Sequence, residues 1–175
     1  PQNKPYKLQQ TAQNEVLIAP YDAKNIYMIQ YHNEGNTWNA EQEPIAALFN
    51  EYYGGGMNTV VFQELREARG LAYSAFAMYG TPSYKDDTEF AYTYIISQND
   101  KMMDCINTFN SILDTMPQSE KAFELSKQAL MKRLATSRTT KTGILNAYIN
   151  AENLGIDYDI NKKIYEAVPS LTLED

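Results

Sequence analysis

An arginine and a tyrosine seven residues apart form the pair of side chains best placed to do chemistry. Arg66 falls in the last turn of a predicted helix, Tyr73 falls early in the predicted strand that follows, and Gly70 separates the two elements. A helix rises about 6 Å from Arg66 to Gly70, and an antiparallel strand returns about 10 Å to Tyr73. The remaining mismatch of about 4 Å is within reach of long side chains. The spacing therefore allows a guanidinium and a phenol, both hydrogen-bond donors, to lie side by side.

Both residues also have an ordinary structural interpretation. Arg66 can complement the negative end of its helix, an interaction worth about 0.3–1 kcal/mol, as we expect Arg69 to do. Tyr73 can be one more strand aromatic among 14 tyrosines. The spacing alone favours this structural interpretation, so the surrounding pattern has to decide.

The surrounding pattern is long and ordered. Three consecutive glycines precede the segment Phe62–Tyr73, which reads Phe-Gln-Glu-Leu-Arg-Glu-Ala-Arg-Gly-Leu-Ala-Tyr. It resembles the second, non-zinc half of the insulinase or pitrilysin family of zinc metallopeptidases, where a glycine-rich turn precedes Phe-x-x-Leu-Arg-x-x-x-Gly-Leu-x-Tyr. The resemblance is close over residues 60–79, and the element order of residues 20–155 fits the family domain. Such an extended pattern is far more specific than a single short motif, and it favours a functional role for the pair.

The resemblance implies that zinc lies elsewhere. The catalytic half of the family carries His-x-x-Glu-His and a distant glutamate, which hold the metal and activate water. This chain has one histidine, His32, which we interpret as a half-exposed residue at a strand end. We therefore expect no cofactor in this chain and no proteolysis by it alone. Zinc is expected in a homologous catalytic domain of the same polypeptide or of a partner subunit.

The resemblance also assigns roles to the pair. The hydroxyl of Tyr73 would donate to the oxyanion that forms as the peptide carbonyl is attacked, and Arg66 would hold a substrate carbonyl or assist that oxyanion. The predicted peptide-binding residues also include Gly54, Gly55 and Gly56, whose first interpretation is structural. The implied function is substrate binding and transition-state support in a bacterial-type zinc peptidase. The alternative is a catalytically silent structural or partner-binding subunit of the same fold.

The elements that must position these residues follow from periodicity and breakers. Strands are predicted at Glu15–Ala19 and Asn25–His32 as a hairpin, and at 71–79 and 88–97 as a second one. Helices are predicted from Pro44 to Gly54, from an Asn58 cap to Arg69, and at about 100–115, 119–137, 142–154 and 160–167.

The glycines and the order of the strands and helices predict how these elements form a fold. The three glycines can adopt positive φ and let another element approach closely, and Gly70 is expected to be a left-handed C-cap. The order predicts an α+β fold, an antiparallel sheet covered on one face by helices. In the resembling family this two-layer domain occurs as tandem copies that enclose a chamber. The aromatic set Phe90, Tyr92 and Tyr94 is interpreted as sheet core rather than as a peptide platform.

Composition and length limit the classes of binding partner and the number of domains. A net charge of −7 with scattered basic residues makes nucleic acid a poor partner, and no apolar run is long enough to span a bilayer. Cys105 is the one cysteine and is interpreted as core. The length suits one domain over residues 1–175, and a capping pattern at Thr172–Asp175 suggests a fragment of a longer multidomain protein. The compartment is open between bacterial periplasm and cytoplasm, with the periplasm slightly favoured.

Overall fold

An antiparallel sheet forms one layer of the fold, as the sequence predicts. The structure, a computed structural model, describes residues 7–175. The strands are β1 (Asn25–His32), β2 (Ala72–Gly80) and β3 (Phe90–Gln98), in the spatial order β1-β3-β2. Both pairings are antiparallel. The last two strands therefore form the predicted hairpin, and the α+β fold class is confirmed.

Helices form the second layer at the predicted places. The bounds are α1 (Glu43–Phe49), α2 (Val60–Phe62), α3 (Met102–Asp114), α4 (Glu120–Thr136), α5 (Lys141–Leu154) and α6 (Ile160–Ala167). Two π-helical segments continue α1 and α2, over Asn50–Gly54 and Gln63–Ala68 respectively. The N-cap of α2 is Thr59, in extended conformation, and not Asn58 as predicted.

The predicted strand Glu15–Ala19 is wrong. This segment is irregular, and Val16, Leu17 and Ile18 are 84–85% exposed. The apolar run has strand-like composition, but a strand also needs a neighbouring strand to pair with. Among the described residues, β1 pairs only with β3. The preceding residues are held by Thr11, whose backbone N–H donates to the Asn33 carbonyl at 2.8 Å.

The main core lies between the sheet and α3. Alanines of β2 (Ala72, Ala75, Ala77) and Ile95 of β3 face buried residues of α3, including Cys105 and Phe109. Cys105 is fully buried, which confirms its assignment to the core. Small side chains on β2 let the helical layer approach its backbone closely. A second cluster joins α1, α4 and α6 through Leu48, Tyr52, Phe123, Leu130, Ile164 and Val168.

The aromatic residues of β3 lie on the opposite face of the sheet, so their assignment to the core is wrong. Phe90, Tyr92 and Tyr94 are half-buried, whereas the alternating Thr93, Ile95 and Ser97 are buried toward the helices. We call the surface formed by Tyr27, Ile29, Tyr31, Phe76, Met78, Phe90, Tyr92, Tyr94 and Ile96 the aromatic face; the strand register brings these side chains to one side. Period-two alternation separates two faces but does not say which one the helices cover.

Gly54 is required by a close approach and not by its φ angle. A Cβ built on Gly54 would lie 1.9 Å from the Ala77 carbonyl oxygen of β2. Within residues 7–175 positive φ occurs only at Gly35, Gly70 and Gly155, so the three glycines of the turn do not use the positive φ that is open to them. The predicted left-handed cap at Gly70 is confirmed, with φ of 57°. The helix end is thus pressed directly onto the strand that carries Tyr73.

Replacing Gly54 by alanine should destabilise the fold, because the added methyl group must push the π-helical segment away from β2. We expect a loss of at least about 2 kcal/mol in the free energy of unfolding, measured by urea titration. Gly56→Ala is the matched control, since a Cβ there meets nothing within 4 Å. Equal stability of the two variants would contradict the close contact.

Candidate functional site

Arg66 is presented by a π-helical segment, an uncommon conformation. Segment Gln63–Ala68 is anchored by Leu65, which is fully buried, while Arg66 is directed outward. The segment ends where the Gly70 amide donates to the Arg66 carbonyl at 3.0 Å and the Leu71 amide donates to the Leu65 carbonyl at 2.8 Å. Single π-helical turns occur frequently at functional sites because they change the direction of a side chain locally.

The guanidinium of Arg66 is held only weakly. It lies over the Phe62 ring at 4.8 Å from the centroid, and its Nε is 3.8 Å from Oε1 of Glu67. The Arg66 side chain is 47% exposed, so this ion pair contributes little to stability. Arg69 lies at the end of the segment and donates to Oε2 of Glu64 at 3.2 Å. Lys101 donates to the Gly70 carbonyl at 3.2 Å. The role of Arg69 as a helix-end cation stays a prediction.

Tyr73 lies on a β-bulge. Ala72 is opposite Ser97 and Ser74 is opposite Ile96, so Tyr73 is an extra residue without a partner on β3. Its ring is 55% exposed, and its hydroxyl oxygen accepts a hydrogen bond from Nε2 of Gln98 at 3.0 Å. Since a phenol both accepts and donates, this contact orients the hydroxyl and leaves its proton available. Bulges often redirect a side chain next to an active site.

The structure thus exposes both predicted residues, and each has a partner of its own. Within the described part of the chain, no hydrogen bond joins Arg66 to Tyr73. Of the three glycines, Gly54 is buried against β2, whereas Gly55 and Gly56 are exposed. Pairing of the two side chains and contact of the glycines with a substrate stay predictions.

Asn50 joins the glycine turn to β2 and could not be identified from spacing. Its Nδ2 donates to the Tyr79 carbonyl at 2.8 Å, and its Oδ1 accepts from the Tyr79 amide at 2.7 Å. One side-chain amide therefore takes the place of a strand partner at the edge of β2. The only signal in the sequence is a polar residue within the apolar stripe of a helix.

A cavity of about 580 Å³ lies beside Tyr79, and no pattern in the sequence predicts it. It contains Glu89, which is 7% exposed and accepts a hydrogen bond from the Tyr79 hydroxyl at 2.5 Å. Burial, followed by the hydrogen bond to Glu89 and the charges of Glu89 and Glu34, raises the pKa of Tyr79 from 10.0 to about 12. The Tyr79 hydroxyl therefore stays protonated and donating at neutral pH.

The histidine has the environment expected of a surface residue. The His32 side chain is 54% exposed at the end of β1, and its Nε2 is 3.0 Å from Oε1 of Glu34. The His32 contact lowers the pKa of the Glu34 carboxyl. Within residues 7–175, no group of three or more histidine, cysteine, aspartate or glutamate side chains could hold a metal ion.

Comparison with known proteins decides the family. A family model described as the peptidase M16 inactive domain matches residues 1–130. The chain belongs to this family. The M16 inactive domain is the non-catalytic domain of a zinc protease family, and the resemblance drawn from residues 60–79 is thereby confirmed. No curated protein sequence matches the chain.

Solved structures share the fold of this M16 inactive domain at low sequence identity. The M16 inactive domain from Pseudomonas fluorescens has a TM-score of 0.71 at 15% identity, over 88% of this chain and 37% of that one. The inactive peptidase domain of a protein named as a zinc protease from Bordetella parapertussis has a TM-score of 0.65 at 11% identity, over 91% and 85%. The periplasmic protease PqqL from Escherichia coli has a TM-score of 0.60 at 11% identity, over 88% and 17%. This chain thus spans 37% of the length of the Pseudomonas protein.

None of the helices in residues 7–175 combines the length and the apolar character that a bilayer span requires.

Tyr79→Phe should destabilise the domain at neutral pH by about 1.5–3 kcal/mol, because a buried carboxylate loses its hydrogen-bond donor. The substitution should also change how much folding stability the domain loses at alkaline pH. Between pH 10 and about 12 the unfolded tyrosine ionises while folded Tyr79 stays protonated, so the folded state binds more protons and wild-type stability falls as pH rises. The variant should lose less stability over this window.

Urea unfolding at pH 8, 10 and 11 measures both effects. Tyr84→Phe is the control, since Tyr84 is an exposed tyrosine that should leave stability at every pH unchanged. An alkaline decrease of equal size in Tyr79→Phe and wild type would contradict the assignment.

Proposed function

We propose that this chain is the non-zinc half of a zinc peptidase, where it binds the peptide substrate and supports the transition state through Arg66 and Tyr73. One observation carries the proposal. Tyr73 is exposed on a bulge with its hydroxyl oriented by Gln98, and its proton remains free to donate. A strand aromatic with a purely structural role packs against a directly opposite cross-strand partner, and Tyr73 has none on β3.

Tyr73 is suited to the oxygen on which charge develops. A donor that is already oriented costs no reorganisation when the peptide carbonyl becomes tetrahedral, so its hydrogen bond strengthens at the transition state. The bulge places the ring at the end of β2, beside Gln98, which lies in the register of the aromatic face. A peptide lying along this end of the sheet would present its carbonyl to the hydroxyl.

Arg66 is suited to a substrate carbonyl. Its exposed guanidinium has a weak ion pair at 3.8 Å and an aromatic support, so most of its five N–H donors are available. A ligand that accepts from Arg66 would not have to break a buried ion pair. Gly55 and Gly56 are exposed and carry no side chain. The Gly55 N–H already donates to the Asn50 carbonyl at 2.9 Å, so the Gly56 N–H is the backbone donor that a ligand at the glycine turn would use.

The zinc would belong to another domain. Nothing in residues 7–175 fits the His-x-x-Glu-His requirement, because His32 has one carboxylate neighbour and no second imidazole. We infer that a homologous domain, in the same polypeptide or in a partner subunit, supplies the metal and the attacking water. Residues 1–175 would form a single non-catalytic domain of that assembly, and the periplasm is the compartment we favour.

Tyr73→Phe, in the peptidase assembled with its zinc-bearing domain, should lower kcat by roughly 10²-fold and leave KM nearly unchanged. The reason is that the lost hydrogen bond is made chiefly in the transition state. Steady-state kinetics measure the effect, with thermal unfolding to confirm an intact fold. Tyr84→Phe, which also removes an exposed phenol, is the control. Unchanged kinetics in Tyr73→Phe would favour a catalytically silent structural subunit.

Arg66→Ala should raise KM and lower kcat together, because the guanidinium would bind the substrate carbonyl in the ground state as well as the transition state. Arg69→Ala is the matched control, since Arg69 lies in the same helix end but is bonded to Glu64. The assignment fails if both arginine variants have the same kinetic constants.

A further inference from the structure

The cavity beside Glu89 has two unlike walls. Ile45, Ala46 and Phe49 of α1 form an apolar wall, and side-chain amides of the loop before α1 form a polar wall with Tyr79 and Glu89. Its volume of about 580 Å³ falls within the roughly 300–1,000 Å³ typical of ligand pockets. The backbone at the polar wall is fixed, because the Glu89 amide donates to the Asn36 carbonyl at 2.8 Å and Thr37 pairs with Thr88. The cavity is therefore built into the fold.

Glu89 is a buried carboxylate without a cationic partner. None of the ion pairs within residues 7–175 includes Glu89. Its one side-chain partner there is the Tyr79 hydroxyl. Acidic side chains are almost never buried unless they are paired, because desolvation penalises the charged form. A carboxylate held this way at a cavity is a site for a positive group from outside the domain.

The charged side chains that act on Tyr79 are both acidic, Glu89 and Glu34. Among residues 7–175, no lysine, arginine or histidine lines the cavity. An anionic ligand such as a phosphate would be repelled. A metal ion fits poorly as well, since within the described residues no cluster of three ligating side chains exists.

We propose that this cavity binds a guanidinium or alkylammonium group carried on an aliphatic chain. The charged head would bond to Glu89 and to the side-chain oxygens of Asn36 and Gln42, while its methylene stem would pack on Ile45 and Phe49. A basic side chain of a peptide and a free organic amine share this chemistry. If the source is a peptide, the inference extends the proposed function, because the cavity would select basic residues at a distance from Arg66 and Tyr73.

Amide chemical-shift mapping on the 175-residue chain tests the proposal. The probes are Nα-acetyl-arginine amide, its neutral isostere Nα-acetyl-citrulline amide, and agmatine as the free amine. We expect the arginine probe to shift the amides of Asn36, Gln42 and Tyr79, with a dissociation constant on the order of 1 mM. The citrulline probe should bind at least about tenfold more weakly, because it lacks the positive charge.

Variants identify the carboxylate. Glu89→Gln should weaken arginine binding by at least about tenfold, whereas Glu15→Gln, the same charge change on the exposed segment before β1, should leave it unchanged. Glu34→Gln gives a second readout if Glu89→Gln does not fold, and it should weaken binding by a smaller factor. Binding of the peptide probe without agmatine assigns the site to a peptide side chain, and the reverse assigns it to a free amine.

The proposal is overturned if citrulline and arginine probes bind equally, or if neither cationic probe shifts the cavity amides. The outcome is separable from that of the proposed function. Arg66→Ala and Tyr73→Phe should bind the arginine probe as wild type does, so a failure of the kinetic predictions would leave this site intact.

Discussion

The contact between Gly54 and the backbone of Ala77 constrains the rest of the site. Without a side chain on Gly54, the end of the first π-helical segment rests directly on β2, at a place where any Cβ would overlap the Ala77 carbonyl. Asn50, one turn earlier, pairs with both backbone groups of Tyr79. Together these contacts fix β2 against the helical layer over three residues.

The fixed position of β2 determines where the side chains at its two ends lie. At its beginning, the bulge releases Tyr73 from the ladder while the Gly70 cap turns the chain sharply from helix to strand. At its other end, Tyr79 reaches Glu89 and closes one side of the cavity. The proposed transition-state donor therefore lies at one end of β2, and the proposed cation site lies at the other, where Tyr79 holds Glu89.

Local signals predicted much of this arrangement. Gly70 follows a helical run and precedes an apolar alternation, and this position predicted the cap and the reversal. The family pattern selected Arg66 and Tyr73, and both side chains are exposed. Helix-breaking residues also predicted helix ends correctly. Gly155, for example, follows the last residue of α5 and has a φ of 70°, in the left-handed region.

Non-local contacts account for what the sequence could not predict. Glu15–Ala19 has strand composition but lies on no edge, and edges depend on the whole sheet. The bulge at Tyr73 depends on the register with β3, and the environment of Glu89 depends on its contacts with Tyr79 of β2 and with the Asn36 carbonyl. The aromatic alternation of β3 was visible, but which face the helices cover is decided by α3 and its contacts with the alanines of β2.

The central claim is that Tyr73 donates to the oxygen that gains charge during peptide cleavage. Its most direct test is a crystal structure of the assembled peptidase with a phosphonate peptide, whose tetrahedral oxygen mimics that of the intermediate. The account predicts the Tyr73 hydroxyl at roughly 2.7–3.1 Å from a phosphonyl oxygen, with the Gln98 contact retained. A phosphonate bound at the zinc with Tyr73 turned away, and another group of the assembly donating to that oxygen, would contradict it.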